Sequence, residues 1–279
     1  MIPQRNISLL SNRLARGGGR RIPEAVLERD YCLAWFLVGL SRTPLREKLA
    51  FKGGTAIKCC YFGDYRFSED LDFTLTEDVP FETLRAELDP VFKEVQRASG
   101  VEIRFEREDR ERHWNSHTFY LAYVGPLPTH SASEVKVDVT IRERLVLPLV
   151  ERPVIRCYDE YEDLPDDAAV RVYSLEEICV EKVVALGDRA RNEPRDLYDI
   201  WRLTTDGHVA LDHLTAKVER KLEFRGRTLA TLGEEFQRKE ARLKRLWSTR
   251  LEAQMAALPE FDRVFRAVHR SLRQAGLVG

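Results

Sequence analysis

No apolar run in the chain is longer than about ten residues, Tyr31–Leu40 being the longest. A membrane span needs roughly 20 such residues, so that stretch is predicted to be a core helix. The first 21 residues, MIPQRNISLLSNRLARGGGRR, have no apolar block of the kind a secretory leader carries. Cysteine is scarce. The five cysteines (Cys32, Cys59, Cys60, Cys157, Cys179) are odd in number and form no C-x-x-C pair. A zinc ribbon, a redox dithiol and a disulfide framework are thereby disfavoured, and a reducing cytoplasm is the expected setting. The six histidines (His113, His117, His130, His208, His213, His269) show no ligand spacing beyond His113 and His117 at i, i+4. They are read as non-metal. No sustained heptad seam is present, so a monomer is expected.

What the chain does have is a globular make-up: 279 residues, 43% apolar and 33% charged. That is enough apolar material for a core and sets aside a disordered chain. The net charge of −1 is unevenly spread. From Lys217 to Arg273 there are 15 Lys/Arg against 8 Asp/Glu, a balance of +7 that leaves −8 for the rest. A basic tail behind an acidic front suits a polyanion held at the back and metal ligands at the front. Solvated, arginine-rich helix faces are the plainer alternative.

Strand and helix signals mix in the front of the chain, and helix signals alone follow. Basic, glycine-rich Ala15–Arg21 reads as a flexible lead-in. Pro23 then suits the first turn of a helix reaching about Leu40. A short strand or helix end at Leu49–Phe51 runs into the turn Lys52-Gly53-Gly54-Thr55 and a short helix over Ala56–Tyr61. Asp70–Leu75 alternates, with Leu71, Phe73 and Leu75 on one face and Asp70, Asp72 and Thr74 on the other. Phe81–Ala98 is predicted helical, divided or kinked at Pro90. Further strands are predicted at Val101–Arg107, Thr118–Val124 and Glu134–Ile141. Then come a loop holding Pro165 and a capping box, Ser174-Leu-Glu-Glu177, ahead of a helix to about Arg189. Helices are expected at Pro194–Thr204, Leu211–Phe224, Leu229–Ala257 and Glu260–Ala275. The domain boundary is placed at residue 172, giving units 1–172 and 173–279.

Two carboxylates at i and i+2 on a strand project from one face and can grip divalent cations with hard oxygens. Asp70-Leu-Asp72 has that spacing, although glycosyltransferases, nucleases and plain solvated strands carry it too. Upstream, Gly53-Gly54-Thr55 opens a helix, where backbone N–H groups and the dipole favour a phosphate. Downstream, Asp138 lies on the polar face of Glu134–Ile141. It becomes a third carboxylate if that strand pairs beside Asp70–Leu75. Three acids and a phosphate-cradling turn suit nucleotidyl transfer with two Mg²⁺ ions.

Lys52-Gly-Gly-Thr-Ala-Ile57 followed by Arg66-Phe-Ser-Glu-Asp-Leu-Asp-Phe73 resembles the first motif of the AbiEii-type nucleotidyltransferases. These are the toxin halves of bacterial type IV toxin–antitoxin and abortive-infection systems, including the mycobacterial MenT toxins. Glu181-Lys182-Val-Val-Ala185 and Arg195-Asp-Leu-Tyr-Asp199 are similar to the family's later Lys and Asp motifs, and Glu28-Arg-Asp30 to its N-terminal region. The resemblance covers about residues 24–203. It implies an α+β fold, with a polymerase-β-like nucleotidyltransferase core (a mixed sheet flanked by helices) followed by an all-helical C-terminal domain. It also implies Mg²⁺ or Mn²⁺ as cofactor, an NTP as substrate and a cognate antitoxin as partner. The acceptor it suggests is RNA, in the MenT branch the tRNA 3′ end.

Asp70 and Asp72 are then metal ligands, with Asp138 as the candidate third. Lys52, Gly53, Gly54, Thr55, Arg66 and Ser68 form the nucleotide pocket, and Lys182 and Asp199 are the later essential pair. The turn here is Gly54-Thr55 where the broader superfamily has Gly-Ser, and the threonine keeps the hydroxyl. Lys182, on a mostly apolar helix, either snorkels or serves a buried anion such as the triphosphate. Asp199 either pairs with Arg195 on the surface or orients Lys182 or the nucleotide sugar, and Asp196 reads as a helix-start acid. Arg66 reaches a phosphate or is solvated. Arg238, Arg242 and Arg245, at i, i+4 and i+7, are expected to hold the acceptor RNA, with Lys239 next to that face. Two rival functions are nucleotidylation of a protein hydroxyl and a catalytically silent binding module.

Overall fold

The computed structural model describes residues 1–16, 20–111, 114–128 and 132–279. Gly17, Gly18 and Gly19 of the predicted lead-in, and His113 and His130, lie outside the described residues. The chain divides into two compact units. One comprises Met1–Glu143 and Leu149–Val172, the other Arg144–Pro148 and Tyr173–Gly279.

The first unit is built on a mixed seven-stranded sheet. Its strands are β1 (Leu49–Lys52), β2 (Leu71–Leu75), β3 (Glu102–Glu108), β4 (Ser116–Val124), β5 (Ser133–Thr140), β6 (Leu149–Pro153) and β7 (Ala169–Tyr173), in the order β3-β4-β5-β2-β1-β7-β6. β2 runs antiparallel to β1 and parallel to β5, while β1 and β7 are parallel. β6 and β7 fall in the segment expected as a loop around Pro165. Each is only five residues long, too short for an alternation to stand out. Among the described residues four α-helices belong to this unit: α1 (Gln4–Arg16), α2 (Glu24–Ser41), α3 (Gly53–Cys60) and α4 (Phe81–Ser99).

α2 is the expected core helix, buried from Asp30 through Ser41, with Pro23 at its N-cap rather than inside its first turn. It packs on the apolar side of the sheet, Phe36 meeting Phe73 with ring centroids 6.3 Å apart. α4 lies beside it. A β-carbon on Gly39 would come within 2.5 Å of Val95 Cγ2, so the two helices meet through a residue without a side chain. α4 also runs unbroken through Pro90, against expectation. Pro90 and Ala86, whose carbonyl loses its helical donor there, are both exposed, so water can serve that carbonyl. α1 was not expected, although its buried Ile7, Leu10 and Ser11 keep helical spacing.

The second unit is helical: α5 (Leu175–Leu186), α6 (Pro194–Thr205), α7 (Thr215–Phe224), α8 (Leu229–Leu251) and α9 (Phe261–Gln274). Ser174 caps α5 by accepting from the Glu177 N–H at 3.2 Å. The expected capping box is only half made, because the Glu177 carboxylate turns inward. It accepts from the Val146 N–H at 3.1 Å and the Leu147 N–H at 2.9 Å, and pairs with Lys221 Nζ at 2.6 Å. The short segment between β5 and β6 is thereby fastened into this unit. Among the described residues no helix is long and apolar enough to cross a membrane.

Candidate active site

β2 turns Leu71 and Phe73 into the core, which leaves Asp72 on the opposite face. Register then fills that face. Asp72 stands opposite Lys52 of β1 on one side and opposite Asp138 of β5 on the other. Asp138 in turn stands opposite Thr118 of β4. One row of polar side chains, Lys52, Asp72, Asp138 and Thr118, therefore crosses four strands. Leu71 pairs with Val137, Asp70 immediately precedes β2, and Tyr120 lies opposite Lys136.

Charges on this face are already balanced in part. Lys136 Nζ lies 2.7 Å from Asp138 Oδ2, and the Thr118 hydroxyl donates to Asp138 Oδ1 at 2.6 Å. Burial alone would lower the Lys136 ammonium. The hydrogen bond to Asp138, with the charges of Asp138 and Asp70, outweighs it and raises Lys136 above the ordinary lysine range. Lys52 Nζ donates to the Thr140 hydroxyl at 3.0 Å.

The glycine turn abuts the acids. Gly53 has φ +80°, and a β-carbon there would lie 2.4 Å from Asp72 Oδ2. Only glycine gives both the backbone angle and the close approach. A β-carbon on Gly54 would lie 2.4 Å from Nη2 of Arg66. Arg66 is thus not a solvated loop arginine: it is buried, its guanidinium lies against the turn, and its Nη1 donates to the Phe67 carbonyl at 3.3 Å. Ser68 is buried beside it in sequence. The Thr55 hydroxyl donates to the backbone carbonyl of Asp70 at 2.5 Å, tying the start of α3 to the first acid of the pair. Its side chain thereby holds the backbone of Asp70 in place.

Behind the loop that carries Arg66 and Ser68 sits a lysine that sequence reasoning missed. Lys58 is fully buried, donates to the Gly63 carbonyl at 3.0 Å and to the Tyr158 hydroxyl at 3.3 Å, and lies 3.7 Å from Asp30 Oδ1. Its ammonium also covers the Phe67 ring at 4.6 Å. A charged residue between apolar Ile57 and Cys59 on a short helix was the signal available.

In the second unit, Lys182 does not snorkel. Its Nζ lies 2.8 Å from Asp196 Oδ1 and 2.9 Å from Asp199 Oδ2, with all three side chains buried. Arg191 Nε meets the other Asp196 oxygen at 2.6 Å. Burial would raise the Asp196 carboxyl, but Lys182 and Arg191 hold it far below the usual carboxylate range. Asp196 is the helix-start acid expected, in the first turn of α6, and is in addition a buried member of the lysine's ion network. Arg238, Arg242 and Arg245 are exposed on α8, Arg238 pairing with Glu235 at 2.8 Å, whereas Lys239 turns inward and donates to the Ala185 carbonyl at 3.2 Å.

Hard carboxylate oxygens at i, i+2 suit Mg²⁺, which commonly takes one or two protein carboxylates and completes its shell with water and substrate phosphate. Asp70 and Asp72 fit that requirement. Both Asp138 oxygens are engaged. Among the described residues no group of three or more His, Cys, Asp and Glu is arranged to hold a metal ion.

A family model described as nucleotidyl transferase AbiEii toxin of the type IV toxin–antitoxin system matches residues 35–267. The chain belongs to the AbiEii nucleotidyltransferase toxin family. The match extends past residue 203, where the sequence resemblance stopped, and takes in α7, α8 and part of α9. Among solved structures, MenT4, a nucleotidyltransferase toxin from Mycobacterium tuberculosis H37Rv, is similar at 18% identity with a TM-score of 0.57. The similarity covers 96% of this chain and 89% of that one, and it speaks to the fold. No curated protein matches. As a member of this family the chain is a nucleotidyltransferase, an enzyme that takes an NTP and has a cognate antitoxin.

Proposed function

We propose that this AbiEii enzyme transfers NMP from an NTP to an RNA acceptor, the 3′ end of a tRNA, in a reaction dependent on Mg²⁺ or Mn²⁺. The carrying observation is the approach of the Gly53 turn to the Asp72 carboxylate, with Asp70 held by Thr55 beside it. In the reaction the acceptor hydroxyl attacks the α-phosphorus, its proton is lost, and the bond to the bridging oxygen of pyrophosphate breaks. A cation on Asp70 and Asp72 would supply positive charge to the phosphate oxygens. The N-terminus of α3 offers backbone N–H groups to the triphosphate. Arg66, buried against that turn, supplies a fixed guanidinium, and Lys52 and Ser68 belong to the same nucleotide pocket. Lys182 and Asp199 are the second unit's essential pair on this reading. The enzyme works as a cytoplasmic monomer.

The test is transfer of label from each of the four α-labelled NTPs to total tRNA with Mg²⁺. Label in RNA, lost on RNase treatment and reduced at least tenfold by Asp70→Ala or Asp72→Ala, is the expected outcome. Label that survives RNase on protein would move the acceptor to a protein hydroxyl. No transfer with any NTP would overturn the reading.

A further inference from the structure

Between α3 and β2 the chain runs through residues 61–70 with neither helix nor strand, and this loop carries Arg66, Ser68 and Asp70. Connecting segments usually lie exposed and mobile, yet Tyr65, Arg66, Phe67 and Ser68 are buried. We propose that Lys58 is the positioning residue for this loop: its ammonium, balanced by Asp30, clamps the loop onto α3 and so sets the Arg66 guanidinium against the glycine turn. The inference rests on the reading of that turn as the nucleotide site.

α3 grips the loop at two points, through Thr55 and Lys58 at i, i+3. Thr55 takes the far end, donating to the Asp70 carbonyl at 2.5 Å. Lys58 takes the near end, donating to the Gly63 carbonyl at 3.0 Å. The same ammonium lies 4.6 Å from the centroid of the Phe67 ring, a favourable place for a cation. Phe67 follows Arg66 directly, and its carbonyl accepts from Arg66 Nη1 at 3.3 Å. The Tyr158 ring stacks on Phe67 with centroids 6.3 Å apart, and its hydroxyl accepts from Lys58 at 3.3 Å. One charged group thus meets the loop on both sides of Arg66.

Core packing alone does not call for a charge here. Lys58 has no exposed side-chain surface, and the Asp30 side chain is only 6% exposed. Replacing a buried ion pair by apolar side chains of similar volume is often neutral or stabilising. What an apolar side chain cannot supply is a donor for the Gly63 carbonyl and a cation for the Phe67 ring. Without them the backbone on either side of Arg66 loses its anchors on α3. Misplacing a group that orients substrate by about 1 Å can cost roughly a hundredfold in rate, so a fixed loop matters to transfer. Asp30, from the Glu28-Arg-Asp30 stretch, has Oδ1 3.7 Å from Lys58 Nζ and Oδ2 3.3 Å from the Tyr161 hydroxyl. That hydroxyl also donates to the Leu27 carbonyl at 2.8 Å, tying Tyr161 to α2. The counter-charge is therefore anchored outside the loop it serves.

The test measures binding of fluorescent, non-hydrolysable analogues of the four NTPs to the full-length protein with Mg²⁺, beside thermal unfolding. Lys58→Met strands Asp30 and should melt earlier than the wild type. Lys58→Met/Asp30→Leu removes both charges and should regain the wild-type melting temperature to within about 5 °C. It should still bind the tightest analogue about tenfold more weakly, with KM for the NTP raised in step. Phe67→Leu leaves the ion pair in place, reads the clamp from the loop side, and should weaken binding at least about threefold. A loss of less than about threefold in the folded double variant, or in Phe67→Leu, would make Lys58 a core residue only and overturn the inference. A double variant that does not fold leaves the decision to Phe67→Leu. No binding of any analogue by the wild type, or unchanged binding in Arg66→Gln, would overturn the reading of the turn as the nucleotide site, and the inference with it.

Discussion

Replacing Lys182 by methionine should unfold this protein more readily as well as silence it. The lysine's ammonium serves two carboxylates at 2.8 and 2.9 Å, and the Asp199 side chain has no solvent exposure. Removing one partner of a buried pair commonly costs about 3–5 kcal/mol, since the other charge stays behind in a poorly solvated place. Arg191 remains on Asp196, so the lower end, about 3 kcal/mol, is expected. Urea unfolding followed by tryptophan fluorescence, to which Trp201 on α6 with both acids contributes, reports it. A second change, Asp199→Leu, removes the stranded charge. The double variant should be at least about 1 kcal/mol more stable than the two single losses added together, yet remain inactive.

The pH dependence fixes the sign independently. The Asp196 carboxyl is lowered in the folded protein, so its contribution to stability is complete above the ordinary carboxylate range. That contribution is lost as pH falls below about 4 toward the lowered folded value. Lys182→Met should lose part of that acid dependence. If it unfolds within about 1 kcal/mol of the wild type at pH 7, the ion network is not holding this unit together. Loss of activity in a Lys182 variant would then report on chemistry alone.

Three shorter expectations follow from single contacts. Gly53→Ala puts a side chain at φ +80° and against Asp72, so it should cost about 1–2 kcal/mol and most of the activity, read by thermal unfolding and label transfer. Thr55→Val removes the hydroxyl that holds the Asp70 carbonyl and should cost about 1–3 kcal/mol, with Thr55→Ser restoring activity. Burial pulls Lys239 down to about 8, so its charged form is disfavoured on folding. Lys239→Met should therefore be more stable than the wild type at pH 7, and the gap should shrink as pH rises from 8 to 10.

The acid face was legible because strand periodicity is short-range. Asp70, Asp72 and Asp138 could each be assigned to a polar face from alternation alone, and only the pairing of β2 with β5 had to come from the structure. What joined Asp138 to Lys136 was equally local, at i, i+2, yet a lysine between strand acids reads as ordinary surface until its distance is known. Lys182 and Asp199 were named from motif, whereas Asp196 was set aside because a helix-start acid has a sufficient local explanation. That explanation holds, since Asp196 is in the first turn of α6, but burial there makes a compensating cation necessary as well. β6 and β7 were missed for the opposite reason. Five-residue strands owe their existence to neighbours far along the chain, as with Val172 opposite Phe51.

The basic tail is where a count of charges misleads most. Lys221 is buried between Glu177 and Glu181, Lys239 is buried, and Lys244 is paired with Asp262 at 2.8 Å. Arg238 is paired with Glu235 at 2.8 Å and approaches Glu234 at 3.9 Å. The acids paired with Lys244 and Arg238 are already counted in the +7 balance, and what offsets it further are acids outside the counted stretch: Glu177 and Glu181 on Lys221, Glu181 on Arg225 and Asp188 on Arg227. On α8 the exposed Arg242, Arg245 and Arg250 remain, and on α9 Arg266, Arg270 and Arg273 line a groove of about 640 Å³ with Phe265 and His269. If the α8 stripe holds acceptor RNA, Arg242→Glu and Arg245→Glu should each take roughly 0.7–0.9 from the slope of log K against log salt. Arg238→Glu should take less, because Glu235 already balances that guanidinium. Wild-type slopes in the Arg242/Arg245 double variant, with a loss on reversing Arg266, Arg270 and Arg273, would move the RNA to α9. Wild-type slopes in both sets would remove these helix faces from acceptor binding.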